Sequence, residues 1–339
     1  MATVSERRDA PEPEPERTEA LSRARTDISV IVCAFTMDRW GDLTAALASV
    51  RRQTRPPREL ILVVDRSSEL LERARETFAG IRILANRHAD GLSGARQTGA
   101  EAARGSILAY LDDDAVAEPE WLAELELAHR DESVLGVGGQ VAPRWVGNAP
   151  RWFPPEFNWV VGCSYDGMPT ERAPIRNPIG ANMAVRAEVL RHSGQFESAF
   201  GRTGVGDLLG GTAEETEFCI RAARLHPGKY FLYSPDAKVH HTVVPARGTW
   251  RYFVRRCRVE GRAKAMLTRV AGSELGLASE RAYVRSVLPR AILRELRVAA
   301  GGELAGLARA AAIVAGLAVT SWQYLLVSGS CRLRAALSR

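Results

Sequence analysis

The sequence predicts an α/β fold with a mostly parallel central sheet covered by helices on both faces. Three observations carry that expectation. From Ile28 onward, short apolar runs alternate with segments whose apolar residues recur at helical spacing. The apolar runs are near-continuous rather than alternating with polar residues, so they read as strands buried on both faces. Carboxylates stand at the ends of two of these runs, Asp65 after one and Asp112, Asp113 and Asp114 after another. In parallel sheets, ligands bind beyond those strand ends.

Residues 1–26 come first, rich in Pro, Glu and Arg and without periodicity, and read as a disordered tail. ISVIVCAF, from Ile28, is the first strand, and GDLTAALASVRRQT a helix with Leu43, Ala46, Leu47 and Val50 on one face. ELILVVD is the second strand, followed by the helix SSELLERARETFA, for which Ser67 or Ser68 is available as a cap. IRILAN is a third strand, GLSGARQTGAEAARG a helix and SILAYL a fourth strand ending at the aspartates. WLAELELAHR then reads as a helix and VLGVGGQV as a strand.

Residues 143–178 are long, irregular and rich in Pro and Trp, as functional loops and lids are. GANMAVRAEVLRHSG follows, then a glycine-rich stretch over 201–212 that reads as mobile. EETEFCIRAARLH reads as a helix, KYFLYSPDAKVHH as one or two short strands, and the chain from Gly248 onward as helical. We therefore expect a domain over 27–245 and a C-terminal helical region over 246–339. Residues 310–331 carry no charge but are only moderately apolar; spanning a membrane, lying on one and packing on protein all stay open. Arg309, Arg332, Arg334 and Arg339 around them suit an anionic membrane surface.

Composition narrows the function. A hydrophobic fraction of 46% over 339 residues is ample for a large core. The net charge is +6 with only three lysines, so arginine, whose fork matches phosphate, supplies the positive charge. No basic block is interleaved with aromatics, which argues against nucleic acid as a partner. Five cysteines without CxxC spacing argue against a zinc site, a redox pair or a disulfide framework. The first residues contain no apolar signal-peptide core, so we expect a cytoplasmic protein, with the cytoplasmic face of the membrane as the alternative place.

The aspartate triplet admits two readings: a solvated loop capping the next helix, or a D-x-D element in which Asp112 and Asp114 hold Mg²⁺ or Mn²⁺. Glu214 and Glu215 open a helix, where the macrodipole favours acids, or serve as a general base. His240 and His241 follow a strand, and a neutral imidazole there would complete a metal shell begun by Asp114. Arg251, Arg255, Arg258 and Arg262 fall on one helix face, either solvated or clamping a diphosphate or lipid phosphate. Gly91, Gly94 and Gly99 do not match G-x-G-x-x-G, and no Walker A sequence is present.

Taken together, ISVIVCAFTMDR, SVRRQTRPPRELILVVD, NRHADGLSGARQTGAEAARGSILAYLDDD, IGANMAVRAEVL, EETEFCIRAAR and PDAKVHH resemble the family 2 glycosyltransferases, of the GT-A type of nucleotide-sugar-binding fold. Within that family, FTMDRWGDL, DDDAVAEPEW, PRWFPPEFNWVVG and KVHHTVVP look most like the archaeal-type glucosyl-dolichyl-phosphate glucuronosyltransferases. The resemblance implies a nucleotide base against Ala34, Phe35 and Asp65. It implies a donor ribose and metal at Asp112, the metal at Asp114, Arg96 near the diphosphate, and a sugar lined by Gly180 to Asn182. Asp113, Arg258 and Arg262 are grouped with the donor site. Glu215 takes the place of the family's usual Asp base, with Glu214 beside it, and His240 or His241 adds a metal ligand.

The reading is an inverting, Mn²⁺- or Mg²⁺-dependent transfer from a nucleotide-diphosphate sugar, such as UDP-glucuronate, to a hydroxyl of a lipid-linked or membrane-proximal acceptor. A soluble small-molecule acceptor is the first alternative, and an inactive nucleotide-sugar-binding interaction protein the second.

Overall fold

The computed structural model describes residues 26–197 and 213–337, so all of the expected tail but Thr26, and the 201–212 loop, lie outside the described residues. Thr26 is already tied down, its backbone N–H donating to the Pro56 carbonyl at 2.9 Å.

The N-terminal half folds as its pattern predicts. Strands β1 (Ile28–Ala34), β2 (Glu59–Val64), β3 (Arg82–Ala85) and β4 (Ile107–Asp112) lie parallel in the order β3-β2-β1-β4. They alternate with helices α1 (Trp40–Arg51), α2 (Ser68–Thr77) and α3 (Leu92–Ala102). Helix α1 buries Leu43, Ala46, Leu47 and Val50, the expected face, and Ser67 rather than Ser68 caps α2 by accepting from the Leu70 N–H. Along β1, Val30 and Val32 enter the core on the α1 side, whereas Ile31 joins Ile61, Val63, Ala95 and Tyr110 on the α3 side. That alternation is the period-two geometry of a strand buried on both faces.

Beyond β4 the sheet changes direction. After β5 (Ala115–Ala117) and α4 (Trp121–Ala128) come β6 (Val134–Trp145), β7 (Ala173–Ile175) and β8 (Asn182–Arg186). Strand β8 inserts antiparallel between β4 and β6, and β9 (Tyr230–Val243) runs parallel to β6. KYFLYSPDAKVHH is thus one long strand, which β5 and β7 both join antiparallel. The 143–178 stretch contains the end of β6, a 3-10 segment over Pro155–Val161, and β7. Helices α5 (Ala187–Ser193) and α6 (Glu214–Leu225) follow β8.

The C-terminal part is helical: α7 (Trp250–Ala271), α8 (Leu288–Ala300) and α9 (Ala305–Leu337), with short helical turns over 273–287 between α7 and α8. Helix α9 crosses α7 so closely that a Cβ on Gly261 would lie 2.3 Å from the Thr320 carbonyl.

Candidate active site

Register brings the chemistry together. Cys33 of β1 pairs with Asp112 of β4, and the Asp65 N–H donates to the Ala34 carbonyl, so three parallel strands end level. The chain turns at Asp113 and Asp114 into β5, whose Ala115 pairs with His241 of β9. The Thr242 N–H donates to the Asp114 carbonyl at 2.8 Å, which fixes the turn against β9. One ligand atom each of Asp112, Asp114 and His241 lies within 4.8 Å of the others.

Asp114 is buried among a histidine and two arginines. His241 Nε2 lies 3.0 Å from Asp114 Oδ1, Arg39 Nη1 3.2 Å and Arg247 Nη2 3.4 Å from Oδ2. Burial would raise this carboxyl; His241, Arg39 and Arg247 outweigh it and hold the group far below the usual range. Oδ1 is nevertheless buried without a well-aligned hydrogen-bond donor among the described residues. On the far side of the ring, His241 Nδ1 faces the Cys163 thiol at 3.8 Å. A proton on Nδ1 would leave the Nε2 lone pair facing a carboxylate oxygen. That arrangement is satisfied by a cation placed between them, so the residues fit a divalent metal.

Asp113 does not face the site as a donor contact. Its Oδ1 is 2.9 Å from Arg39 Nη1, and its buried Oδ2 has no hydrogen-bond partner among the described residues. Burial, with Asp114 and Asp112 adding to it against Arg39, pushes Asp113 up to about 7. Asp113 therefore anchors the Arg39 that neutralises Asp114. Of the two histidines, His240 stands apart. Strand alternation carries it to the opposite face, where Nε2 sits 2.9 Å from Glu118, and the metal-competent histidine is His241.

The carboxylate pair sits across from the triplet. Glu214 and Glu215 begin α6, and both reach Arg96 of α3, whose guanidinium is buried. Arg96 Nη1 lies 3.1 Å from Glu215 Oε1, and Nη2 lies 3.1 Å from the Gly180 carbonyl and 3.9 Å from Asp112 Oδ1. Burial disfavours this charge, but Glu214, Glu215 and Asp112 outweigh that and raise Arg96 above its ordinary value. Arg96 is thus committed to holding carboxylates, rather than standing open to a diphosphate. Glu214 is closed off by Ser93 and Arg96, whereas Glu215 keeps a side chain 16% exposed. A Cβ on Gly180 would lie 1.9 Å from Glu215 Oε1, so glycine is what lets the turn before β8 pass this close.

The remaining expected residues divide. Asp65 is buried at the β2 end, accepting from Asn86 Nδ2 at 2.8 Å and from the Gly91 N–H at 3.0 Å. That hydrogen bond needs Gly91 at φ +113°, a conformation open to glycine. Ala34 ends β1, and Phe35 is exposed beneath the Arg39 guanidinium, 5.7 Å from the ring centre. Asn182 is fully buried: it accepts from Trp121 Nε1 at 2.8 Å and donates to the Gln140 and Ala237 carbonyls. It ties β6, β8 and β9 together.

A cavity of about 810 Å³ opens from Asp112, Arg96 and Glu215 and runs to α9, where Leu317 and Tyr324 line it. Helix α7 contributes Arg256, Glu260 and Lys264 to this cavity, not Arg258 or Arg262. Positions 256 and 258 lie roughly 200° apart around a helix, so the expected arginine stripe faces away. Arg39 and Arg247, which had no assigned role, are functional neighbours that sequence reasoning missed. The one signal for Arg39 was its place in FTMDR, just beyond the first strand.

The profile of Glycosyl transferase family 2 matches residues 29–194. The glucosyl-dolichyl phosphate glucuronosyltransferase of Haloferax volcanii is 32% identical over 244 residues, covering 71% of this chain and 77% of that protein. The succinoglycan biosynthesis protein ExoM of Rhizobium meliloti is 24% identical over 239 residues, covering 68% of this chain and 71% of that protein. Among solved structures, a mannosyltransferase from Pyrobaculum calidifontis in complex with GDP-Man and Mn²⁺ is similar in fold. Its TM-score is 0.55 at 20% identity, over 88% of each chain.

Proposed function

The chain belongs to glycosyl transferase family 2, and from that premise we propose an inverting transfer from a UDP-sugar, UDP-glucuronate foremost, to a hydroxyl on a lipid-linked acceptor. The observation that carries this reading is the meeting of two carboxylate sets at one cavity mouth. Asp112 belongs both to the Asp112–Asp114–His241 cluster and to the cavity wall that Glu214 and Glu215 share. The Haloferax relative, named for a glucosyl-dolichyl phosphate acceptor, supports the lipid-linked class, as does the apolar α9 side of the cavity.

Glu215 is the group we assign as general base. It is the more open of the pair, and Arg96 holds it from one side only. It takes the acceptor hydroxyl's proton while that oxygen attacks the anomeric carbon opposite the departing diphosphate, which inverts the configuration. Glu214, tied to Ser93 and Arg96, positions Arg96 and through it Glu215. Asp112, Asp114 and His241 would hold a divalent cation, which supplies positive charge against the leaving diphosphate. Arg39 and Arg247 keep Asp114 ionised for that role.

The test uses purified protein with UDP, UDP-glucuronate and other nucleotide sugars, with and without Mn²⁺, read by thermal shift and donor turnover. Glu215→Gln should retain nucleotide stabilisation while turnover falls by roughly 10²- to 10⁴-fold. Asp114→Ala should abolish the Mn²⁺-dependent part of the shift. Full turnover in Glu215→Gln would move the base elsewhere. Nucleotide binding without any turnover would favour the inactive binding protein. Efficient transfer to a soluble alcohol would favour a small-molecule acceptor.

A further inference from the structure

Four of the charged side chains that line the cavity away from the metal-competent cluster form one network. Lys264 of α7 has its Nζ 2.8 Å from Glu260 and 2.5 Å from Glu280 Oε1. Arg176 grips Glu280 with both arms of its fork, Nη1 to Oε2 at 2.9 Å and Nη2 to Oε1 at 3.1 Å. Arg176 also donates to the Gly276 carbonyl at 3.0 Å. All four line the cavity that reaches Asp112 and Glu215, or neighbour residues that do, and each is at most about one-fifth exposed. Two cations meeting on one carboxylate is the arrangement that recognises a small oxyanion.

Glu280 is carried by an element separate from those that carry Arg176 and Lys264. Glu280 sits on a short helical turn, Ala278–Ala282, in the 273–287 connection that lies over the cavity. At its far end this connection is pinned separately, by the Tyr283 hydroxyl donating to the Glu156 carbonyl at 2.6 Å. Withdrawing Glu280 would therefore leave Arg176 and Lys264 facing the cavity, while Tyr283 retains its anchor.

We infer that Arg176 and Lys264 form the site for the acceptor's phosphodiester, and that Glu280 occupies this site until the phosphodiester replaces it. A phosphodiester carries the same single negative charge as the carboxylate it would replace, whereas a phosphomonoester carries roughly −1.5 to −2. The diester's two free oxygens also match the fork that Arg176 now offers to a carboxylate. Reach agrees as well. Arg176 is four residues before Gly180, whose carbonyl binds Arg96 beside Glu215, and four extended residues span at most about 14 Å. A sugar linked through the phosphodiester fits between, with its hydroxyl directed to Glu215. On the other side, a hydrocarbon substituent would lie against Leu317 and Tyr324 of α9. Burial would raise Glu280, but Lys264 and Arg176 overcome it and hold the group down to about 2. Glu280 thus competes as an anion at any ordinary pH.

This inference rests on the lipid-linked acceptor proposed above, and its test separates the two. Calorimetry on the full chain would titrate octyl methyl phosphate, a diester with a hydrocarbon chain, below its micelle-forming concentration. Dimethyl phosphate (no chain) and inorganic phosphate are the comparison ligands, and UDP with Mn²⁺ is titrated into the same samples. We expect Glu280→Gln to bind octyl methyl phosphate at least tenfold more tightly than the unaltered protein. Arg176→Gln and Lys264→Met should weaken that binding at least tenfold, dimethyl phosphate should bind less well than the octyl diester, and UDP binding should not move. Should Arg176→Gln fail to fold, Arg176→Lys, which keeps the charge and loses the fork, should still weaken the diester. Equal or weaker diester binding by Glu280→Gln overturns the proposal, as does inorganic phosphate binding as tightly as the octyl diester. Absence of UDP binding alongside the expected diester response would overturn the nucleotide-sugar reading and leave this site standing.

Discussion

His129 follows α4 with Nδ1 2.8 Å from the Leu125 carbonyl and Nε2 buried without a partner among the described residues. Burial, helped by Arg186 and resisted by the Leu125 carbonyl, lowers its pKa to about 4. The unfolded ring titrates near 6.5. Between those two values the unfolded chain binds a proton that the folded chain excludes, so stability falls as pH drops from about 6.5 to about 4. Below that, both states hold the proton and the contribution levels off. The full loss is about 3 kcal/mol. Urea unfolding at pH 7 and pH 4.5 should show this slope in the unaltered protein and a shallower one in His129→Gln; equal slopes would place the titration elsewhere. Single residues also show where sequence reading stops. Asp112 and Asp114 stood out in the sequence because three acids close a strand, although a helix cap explained them as well until His241 was brought beside them. His241 could not be separated from His240 until β9 was known to run unbroken past β5, since alternation then assigns each its face. The partners of Asn182 were not legible at all, because Trp121, Gln140 and Ala237 meet its amide only once β6, β8 and β9 are paired.

Helices show the same contrast at the next scale. Helix α1 was readable because its apolar positions leave one face to bury. On α7, arginines occur on more than one face, so spacing alone marked the 251–262 stripe, while packing against α9 turned Arg256, Glu260 and Lys264 to the cavity. The α7–α9 crossing depends on Gly261, where a Cβ would meet the Thr320 carbonyl at 2.3 Å and Gln323 Cβ at 3.0 Å. Gly261→Ala should therefore cost about 1–3 kcal/mol, the usual penalty of overpacking, seen as a lower melting temperature. Gly329, later on α9, has nothing within 4 Å of the same position. There the identical substitution should be neutral or stabilising by up to about 1 kcal/mol, because alanine favours helix. Opposite signs at the two glycines would establish the crossing, and equal effects would remove it.

Across the whole molecule, the described parts of α9 leave apolar surface uncovered. Within residues 305–329 an 18-residue window reaches a mean hydropathy of 1.7, and only 22% of that window is buried. Val314 and Trp322 are 54% and 64% exposed, and α8 adds exposed Leu293 and Leu296. By length, about 38 Å for 25 residues, this helix could cross a bilayer. Its neighbour makes crossing costly. Helix α7, which packs along it, carries eight charged residues, and charges in the hydrocarbon centre cost about 2.5–3.5 kcal/mol each on insertion scales. An interfacial position, with one face on α7 and the other among lipid headgroups and acyl chains, satisfies both constraints. It also brings the α9 wall of the cavity to the depth from which a lipid-linked acceptor would enter, next to Leu317 and Tyr324. The full chain should co-sediment with vesicles of phosphatidylcholine and phosphatidylglycerol and be released by alkaline carbonate, as a spanning helix would not be. Val314→Asp with Trp322→Asp should lower the bound fraction at least fivefold while UDP and Mn²⁺ still stabilise the protein. Retention in the carbonate pellet would argue for a span, and unchanged binding by the double variant would place the membrane contact away from α9.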